Sequence, residues 1–380
     1  MTDLSNYRII LPKKEGWDVK IRDDRRALHR IPELDRDLPK TFAYLEGVLS
    51  SLNCRILEPV AGSLCAWFDF GQAAAIAFRA DADALPITER TGADYASGHP
   101  GCMHACGHDG HMALLLELAR RLSKKRNLPR NVLLVFQSAE ETTGGAKDIC
   151  DSDVFSQYNV KAIFGLHLWP GLEAGVIASR RQELMARSSE VDVDIYGKSA
   201  HIAKAAEGVD ALMAGTDFYR KAMEMEKQLP DSVFRLLKFG KFQSGTVRNA
   251  LSAHTHMEGS LRAFQDEVFD GLAAGLADIG RAVETQYGCT VTLHLSDGYP
   301  AVMNPPELYD RVRDALPFRE LESPSMTAED FSWYQKTLPG LFFFLGLGDV
   351  PALHTDTFDF DEGILLKGAD FFEKLAEIHL

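Results

Sequence analysis

The residues best equipped for chemistry crowd into one short stretch: His104, Cys106, His108, Asp109 and His111 fall within eight positions. Thiolate and imidazole are the ligands that zinc and other late divalent metals prefer. A helix start with polar caps and one buried thiol would explain any of these residues singly, but not their density at a glycine-containing turn. A second cluster, Gln137-Ser138-Ala139-Glu140-Glu141, directly follows the apolar run 131–137, and Gly144-Gly145 just after it predicts a tight bend. Two adjacent carboxylates repel each other and cost solvation unless something offsets them. A metal ion does so by binding one and leaving the other free as a base. Taken alone, the Glu-Glu pair would also suit a solvated first helical turn.

Three further segments add donors. His167 ends the apolar run 162–167, a place where ligands and catalytic groups sit in open α/β sheets. His354 follows the apolar run 341–345. Asp81 and Asp83 close a strand-like run and share a face in extended backbone, where a carboxylate can orient an imidazole ligand or a metal-bound water. A satisfied core histidine or a capping carboxylate is the ordinary reading of each one separately. Together they supply one Cys, three His and one Glu. A single zinc needs only three protein ligands and a water, so this set points to two ions that share a bridging ligand. A thiol hydrolase built on Cys106 does not fit, because the cysteine stands among metal-type ligands and not beside a single activating histidine.

The chain that positions these residues has 380 of them, 46% hydrophobic and 25% charged. That length allows two domains and a large core, and the composition is too apolar for a disordered chain. Lys and Arg number 41 against 55 Asp and Glu, a formal charge of -14 with no basic stripe, which argues against nucleic acid as a partner. Six cysteines are too few for a disulfide scaffold. Residues 1–20 carry no apolar signal-like core, and no apolar run approaches the ~20 residues of a membrane span. The expected setting is the cytoplasm, without membrane contact.

Periodicity predicts helices over 17–30, 40–52 and 105–124, and strands over 64–70, 74–78, 131–137 and 162–167. That alternation implies an α/β layer with a mainly parallel central sheet. The middle differs. Residues 189–196 alternate Val191, Val193 and Ile195 with Asp192 and Asp194, a strand with one wet face. A helix over 209–228, strands within 233–242 and 253–261, a helix over 266–287 and a strand over 290–295 follow. The order reads as a smaller α+β domain, 183–295, inserted into a catalytic domain made of 1–182 plus 296–380.

With these motifs in this order the chain resembles the M20 metallopeptidase clan, and within it the amidohydrolase subfamily. That group contains N-acyl-amino-acid deacylases, hippurate hydrolases, indole-acetyl-amino-acid hydrolases and N-acetyldiaminopimelate deacetylases. The resemblance rests on residues 26–33, 79–86, 103–109, 139–141, 165–170, 258–262, 327–331 and 353–354. It implies a zinc-peptidase-like catalytic domain interrupted by a lid and dimerisation domain. Cys106 would bridge two metals, with His108, Glu141, His167 and His354 completing their ligands. Glu140 would be the general base, and Asp81 would orient the site. From the inserted domain, His201 would reach an active site, often the partner subunit's, and steady the oxyanion, while Asn249 and Arg262 hold the substrate carboxylate. The activity implied is cleavage of N-acyl amino acids to a carboxylate and a free amino acid. The alternative is a metallo-dipeptidase or carboxypeptidase acting on short peptides or aryl-amino-acid conjugates. The cofactors implied are two divalent ions, zinc first and manganese, cobalt or nickel after it, in a homodimer. Residues 202–207 stand where the family commonly carries a Pro-His pair, which implies altered specificity. A non-catalytic relative would have lost Glu140 or a ligand, and this chain has lost none.

Overall fold

The computed structural model describes residues 17–379. Of the polar N-terminal stretch, residues 1–16 lie outside the described residues. The chain divides into two compact units. One comprises the described residues through Ala178, Ala315–Phe318 and those from Phe343 onward; the other comprises Ser179–Asp314 and Arg319–Phe342.

The first unit begins with α1 (Trp17–His29), α2 (Pro39–Leu49), β1 (Arg55–Leu57), β2 (Ser63–Phe68) and β3 (Ala75–Asp81). It continues through α3 (His108–Leu122), β4 (Asn131–Gln137), the short α4 (Ala146–Asp151) and α5 (Val154–Gln157), β5 (Val160–Pro170) and β6 (Ile177–Ser179). The second unit contains β7 (Gln182–Met185), β8 (Arg187–Tyr196), α6 (Ala211–Lys227), β9 (Arg235–Ser244), β10 (His254–Ala263) and α7 (Asp266–Tyr287). It also holds β11 (Thr290–Leu295), β12 (Val302–Asn304), α8 (Pro306–Ala315), β13 (Arg319–Glu320) and α9 (Ser332–Thr337). The chain then closes the first unit with β14 (Gly340–Gly348) and α10 (Leu365–Glu377).

Within the first unit the strands of the central sheet run in the order β1-β2-β4-β3-β5-β14-β6. Its middle is parallel: β3 pairs in parallel with both β4 and β5. Toward the edges, β1–β2, β2–β4 and β14–β6 are antiparallel. The chain therefore forms the α/β fold that the alternation predicted, with the parallel pairs concentrated at the centre. Every residue of β3 and β4 is buried, as a sheet covered on both faces requires. The register sets Asp81 opposite Gln137 and Arg79 opposite Gly165. Parallel strands in that register bring their carboxyl ends, and the loops that follow, to one edge of the layer.

Helix α3 begins at His108, later than the expected residue 105, because Gly107 holds φ at 85° and ends the preceding turn. A side chain there would strain that left-handed backbone and press on Leu168, whose Cδ1 would stand 3.0 Å from the new Cβ. The second unit has a four-stranded sheet in the order β11-β8-β10-β9, antiparallel throughout. Val191, Val193 and Ile195 share a buried core with Phe218 of α6 and Leu272 and Leu276 of α7. Asp192 and Asp194 take the other face, as the period of two requires. Among the described residues, no helix is long and apolar enough to cross a membrane.

Helix α1 locks the first unit through buried charge. Arg25 Nε and His29 Nδ1 lie 2.8 and 2.7 Å from Asp109 Oδ2, in the first turn of α3. Arg25 also reaches Asp359 at 2.8 Å, and Arg26 reaches Glu362 at 2.6 Å, both ahead of α10. Burial alone would lower the pKa of His29, but Asp109 and Glu89 beside the ring raise it to about 9. That lies above the ~6.5 of an unfolded histidine. The stabilisation from this proton is therefore complete below about pH 6.5 and is lost as the pH rises through about 9. Replacing His29 by Gln should cost about 3 kcal/mol near pH 6 in urea unfolding. The gap from the native chain should narrow above about pH 9, and a gap that stays constant to about pH 10 would refute the charged pairing.

Candidate active site

The loops that follow β3, β4 and β14, with the carboxyl-terminal part of β5 that carries His167, gather the sequence-derived donors of the first unit. Cys106 Sγ lies 3.4 Å from His167 Nε2 and 3.3 Å from His354 Nε2. On the other side of His354, its Nε2 is 3.2 Å from Glu141 Oε1, and that oxygen is 3.8 Å from His108 Nε2. Three of the donor sets among the described residues, each with its ligand atoms within 4.8 Å of one another, are drawn from these donors: Cys106, His108 and His167; Cys106, Glu141 and His354; His108, Glu140 and Glu141. Cys106 belongs to two of them. His354 reaches the cluster with φ at 61°, and its backbone N–H is tied to the Ala105 carbonyl at 2.8 Å.

Hydrogen bonds decide which imidazole nitrogen each ring can offer. His108 Nδ1 donates to the Asp83 carbonyl at 2.8 Å, and His167 Nδ1 donates to the Leu168 carbonyl at 2.7 Å. Both rings therefore present Nε2 to the cluster. His111 is spent differently. Its Nδ1 donates to Asp81 Oδ1 at 2.6 Å and its Nε2 accepts the Leu168 N–H at 2.9 Å. It braces the strand that carries His167 and has no nitrogen left for an ion. His104 is buried, and burial presses its pKa down to about 3.

The electrostatics call for a cation. Burial, then the charges of Glu141 and Glu140, push the Cys106 thiol well above its ordinary range. Burial would lower His108, but Asp81, Asp83 and Glu141 raise it to about 10, so its surroundings demand positive charge. Burial and the neighbouring His111 press His167 down to about 3, which leaves its Nε2 lone pair free. Of two buried atoms facing the cluster, His108 Nε2 makes no hydrogen bond, and Glu141 Oε1 has no well-formed one beyond its 3.2 Å approach to the His354 ring. Unpaired polar atoms in such a place are costly, and a divalent ion would satisfy both while converting the thiol to thiolate. The residues present fit such ions.

From the sequence, Asp83 is expected, like Asp81, to orient an imidazole ligand or a metal-bound water. In the structure its carboxylate accepts the backbone N–H groups of both Glu140 and Glu141 at 3.0 Å, and its carbonyl holds His108. Asp81 lies beside it, bound to Arg79 at 2.9 Å and to His111, and 3.6 Å from His108 Nε2. Burial would raise the Asp81 pKa, but His108, His111 and Arg79 hold it well below the usual carboxylate range. Gly145, in the bend after the two glutamates, has no room for a side chain, since a Cβ would stand 2.2 Å from the Ser138 carbonyl oxygen.

The other three sequence-derived residues belong to the second unit. His201 is exposed, and its Nδ1 accepts the Ala203 N–H at 3.1 Å, capping a short 3-10 helix, Ile202–Glu207. Asn249 is drawn close to it, because its carbonyl accepts the Ile202 N–H at 3.0 Å. Arg262 sits farther along β10, where its Nη1 donates to the Met326 carbonyl at 2.6 Å.

Comparison with known proteins shows which family the chain belongs to. An uncharacterized hydrolase of Staphylococcus haemolyticus is 32% identical over 366 residues, spanning 92% of this chain and 96% of the relative. Another, from Staphylococcus saprophyticus, is 30% identical over 371 residues, with 94% and 96% covered. The Bacillus subtilis YXEP protein, described as a dinuclear metal binding peptidase from the M20 family, superposes with a TM-score of 0.82 at 28% identity over 95% of this chain and 97% of that one. A structure from methicillin-resistant Staphylococcus aureus, provisionally described as an aminohydrolase, reaches a TM-score of 0.89 at 28% identity, covering 94% and 96%. The model for peptidase family M20/M25/M40 matches residues 77–378, most of the chain. The chain belongs to that family and is a metal-dependent hydrolase acting on amide bonds.

Proposed function

We propose that this hydrolase is dinuclear and cleaves the amide bond of N-acyl amino acids, releasing a carboxylate and a free amino acid. The observation that carries the reading is the position of Cys106, whose Sγ lies within 3.4 Å of both His167 Nε2 and His354 Nε2 and belongs to two donor sets at once. Cys106, His108, Glu141, His167 and His354 would hold the two ions, with Cys106 the residue common to two donor sets. Two divalent ions, when bound, acidify a water and polarise the scissile carbonyl. Zinc suits the sulfur and imidazole donors first, and manganese, cobalt or nickel can occupy the same positions.

The chain's own groups do the rest. Glu140 takes the proton of the attacking water and hands it to the leaving amine. Asp81 and Asp83 fix the surroundings of His108 and of the Glu140–Glu141 turn. His201 steadies the oxyanion: its Nδ1 is occupied by the Ala203 N–H, so Nε2 carries the proton and can donate. Arg262, with Asn249, takes the substrate carboxylate. In support, Arg262 has no acidic partner among the described residues, and its planar fork suits a carboxylate. A local cation of this kind is needed in a chain of net charge -14.

Residues 183–295 serve in this reading as lid and dimerisation domain. Leu212 and Met213 on α6 and Phe242 on β9 are exposed, which supports a second copy packing there. All six cysteines are free, which supports a reducing, cytoplasmic setting. A second reading, a dipeptidase or carboxypeptidase using the same site, is favoured by the description of the Bacillus subtilis structure as a peptidase.

Assaying the metal-loaded protein against N-acetyl, N-succinyl and N-benzoyl amino acids and against dipeptides separates the two. Hydrolysis confined to dipeptides would displace the first reading. Glu140→Gln should lower kcat by about a thousandfold with its metals retained, and near-native turnover would remove Glu140 from the role of base. Cys106→Ala should bind fewer than two equivalents of metal by elemental analysis, and two full equivalents would exclude bridging.

A further inference from the structure

Glu140 and Glu141 sit on a turn that begins at a conformationally costly residue. Ala139 has φ at 59°, a left-handed value uncommon for a residue with a side chain, and it is fully buried. The turn closes on itself through the Gly144 N–H, which donates to the Ala139 carbonyl at 2.8 Å. Asp83 grips two amides of this turn. It does not touch the torsion that precedes them.

That torsion is held by another segment, residues 33–36, which the metal and substrate roles leave unused. Asp35, itself left-handed with φ at 57°, offers its carbonyl to the Ala139 N–H at 3.1 Å. Its carboxylate Oδ1 accepts the Thr142 hydroxyl at 2.5 Å. Arg36 reaches Thr143 Oγ1 at 3.2 Å and the Gly144 carbonyl at 3.4 Å, and pairs with Asp148. The same segment is anchored beside Asp83: the Ala84 N–H donates to the Glu33 carbonyl at 2.8 Å, and Leu34 bridges Ala84 in parallel. Residues 33–36, 83–84 and 139–144 thus form a closed ring of hydrogen bonds around the backbone of Glu140.

A left-handed alanine costs about 1 kcal/mol and persists only where its surroundings over-determine it. Loosening one side of the ring lets Ala139 relax, and the carboxylate that follows it swings with the backbone. Catalytic groups tolerate displacements of only about 0.5 Å. We propose that Asp35 is a positioning residue for the general base: by gripping both ends of the 139–142 turn it sets the direction of the Glu140 carboxylate, without touching metal or substrate. The proposal rests on Glu140 being the base.

Three variants test it. Asp35→Gly keeps the left-handed backbone and removes the carboxylate. Thr142→Val removes the same hydrogen bond from its other end. Asp35→Asn keeps an acceptor oxygen and tolerates the backbone. Asp35→Gly and Thr142→Val should each lower kcat about tenfold, with KM within about twofold and full metal content, and the double variant should be no worse than either single one. Asp35→Asn should retain most of the turnover. The proposal is overturned if kcat is unchanged in the first two variants, if the loss follows lost metal, or if Asp35→Asn is as impaired as Asp35→Gly. Amide hydrogen exchange gives a reading independent of turnover. Exchange at Glu140, Glu141 and Gly144 should quicken in Asp35→Gly, and unaltered exchange would overturn the grip itself. A native chain that hydrolyses no N-acyl substrate would defeat the functional reading alone, while the exchange result still decides the role of Asp35.

Discussion

The structure depends on placing many negative side chains at one buried edge of a sheet and finding a partner for each. Asp81, Asp83, Asp109 and Glu140 are all buried there, with Glu141 nearly so. In a low-dielectric interior, each such charge must be met by a cation or by N–H donors. Asp109 has Arg25 and His29, Asp81 has Arg79 and His111, and Asp83 has two backbone amides. What these partners leave unbalanced, around Glu141, His108 and Cys106, is the demand that divalent ions meet. Fold stability and metal chemistry therefore share one electrostatic requirement.

That requirement explains why α1, distant from the ligands in sequence, belongs to the working part of the first unit. Arg25 and His29 fix Asp109, the residue after His108, and Arg25 with Arg26 fixes the segment a few residues beyond His354. That buried pairing adds to the direct bond from the His354 N–H to the Ala105 carbonyl in holding the turn carrying Cys106 and His108 against the loop carrying His354. Rigid placement matters for a metal pair, because ligand distances are set within a few tenths of an ångström.

Much of this was legible in the chain. The runs that became β4, α7 and β11 match their predicted limits, because long apolar or alternating stretches carry a strong period. Two- to four-residue strands such as β1, β6, β7, β12 and β13 were not legible, since so few residues hold no period. The antiparallel edges of the central sheet escaped for a related reason: buried strands read alike whichever way they run. In the site, the dense cluster around Cys106 and the Glu140–Glu141 pair announced themselves by residue type. His111 looked like a third equivalent imidazole, and only its two hydrogen bonds show that it braces the β5 backbone at Leu168.

The sequence by itself determined the donors, their order and the elements that carry them, because residue type and period are local properties. Tertiary structure decided which nitrogen each histidine offers, that Asp83 holds the Glu140–Glu141 backbone across 57 positions of chain, and that residues 33–36 close the ring around it. Those facts depend on strand register and on loops meeting beyond the sheet edge. A period along one strand fixes which way a side chain faces, but not which distant backbone it will meet.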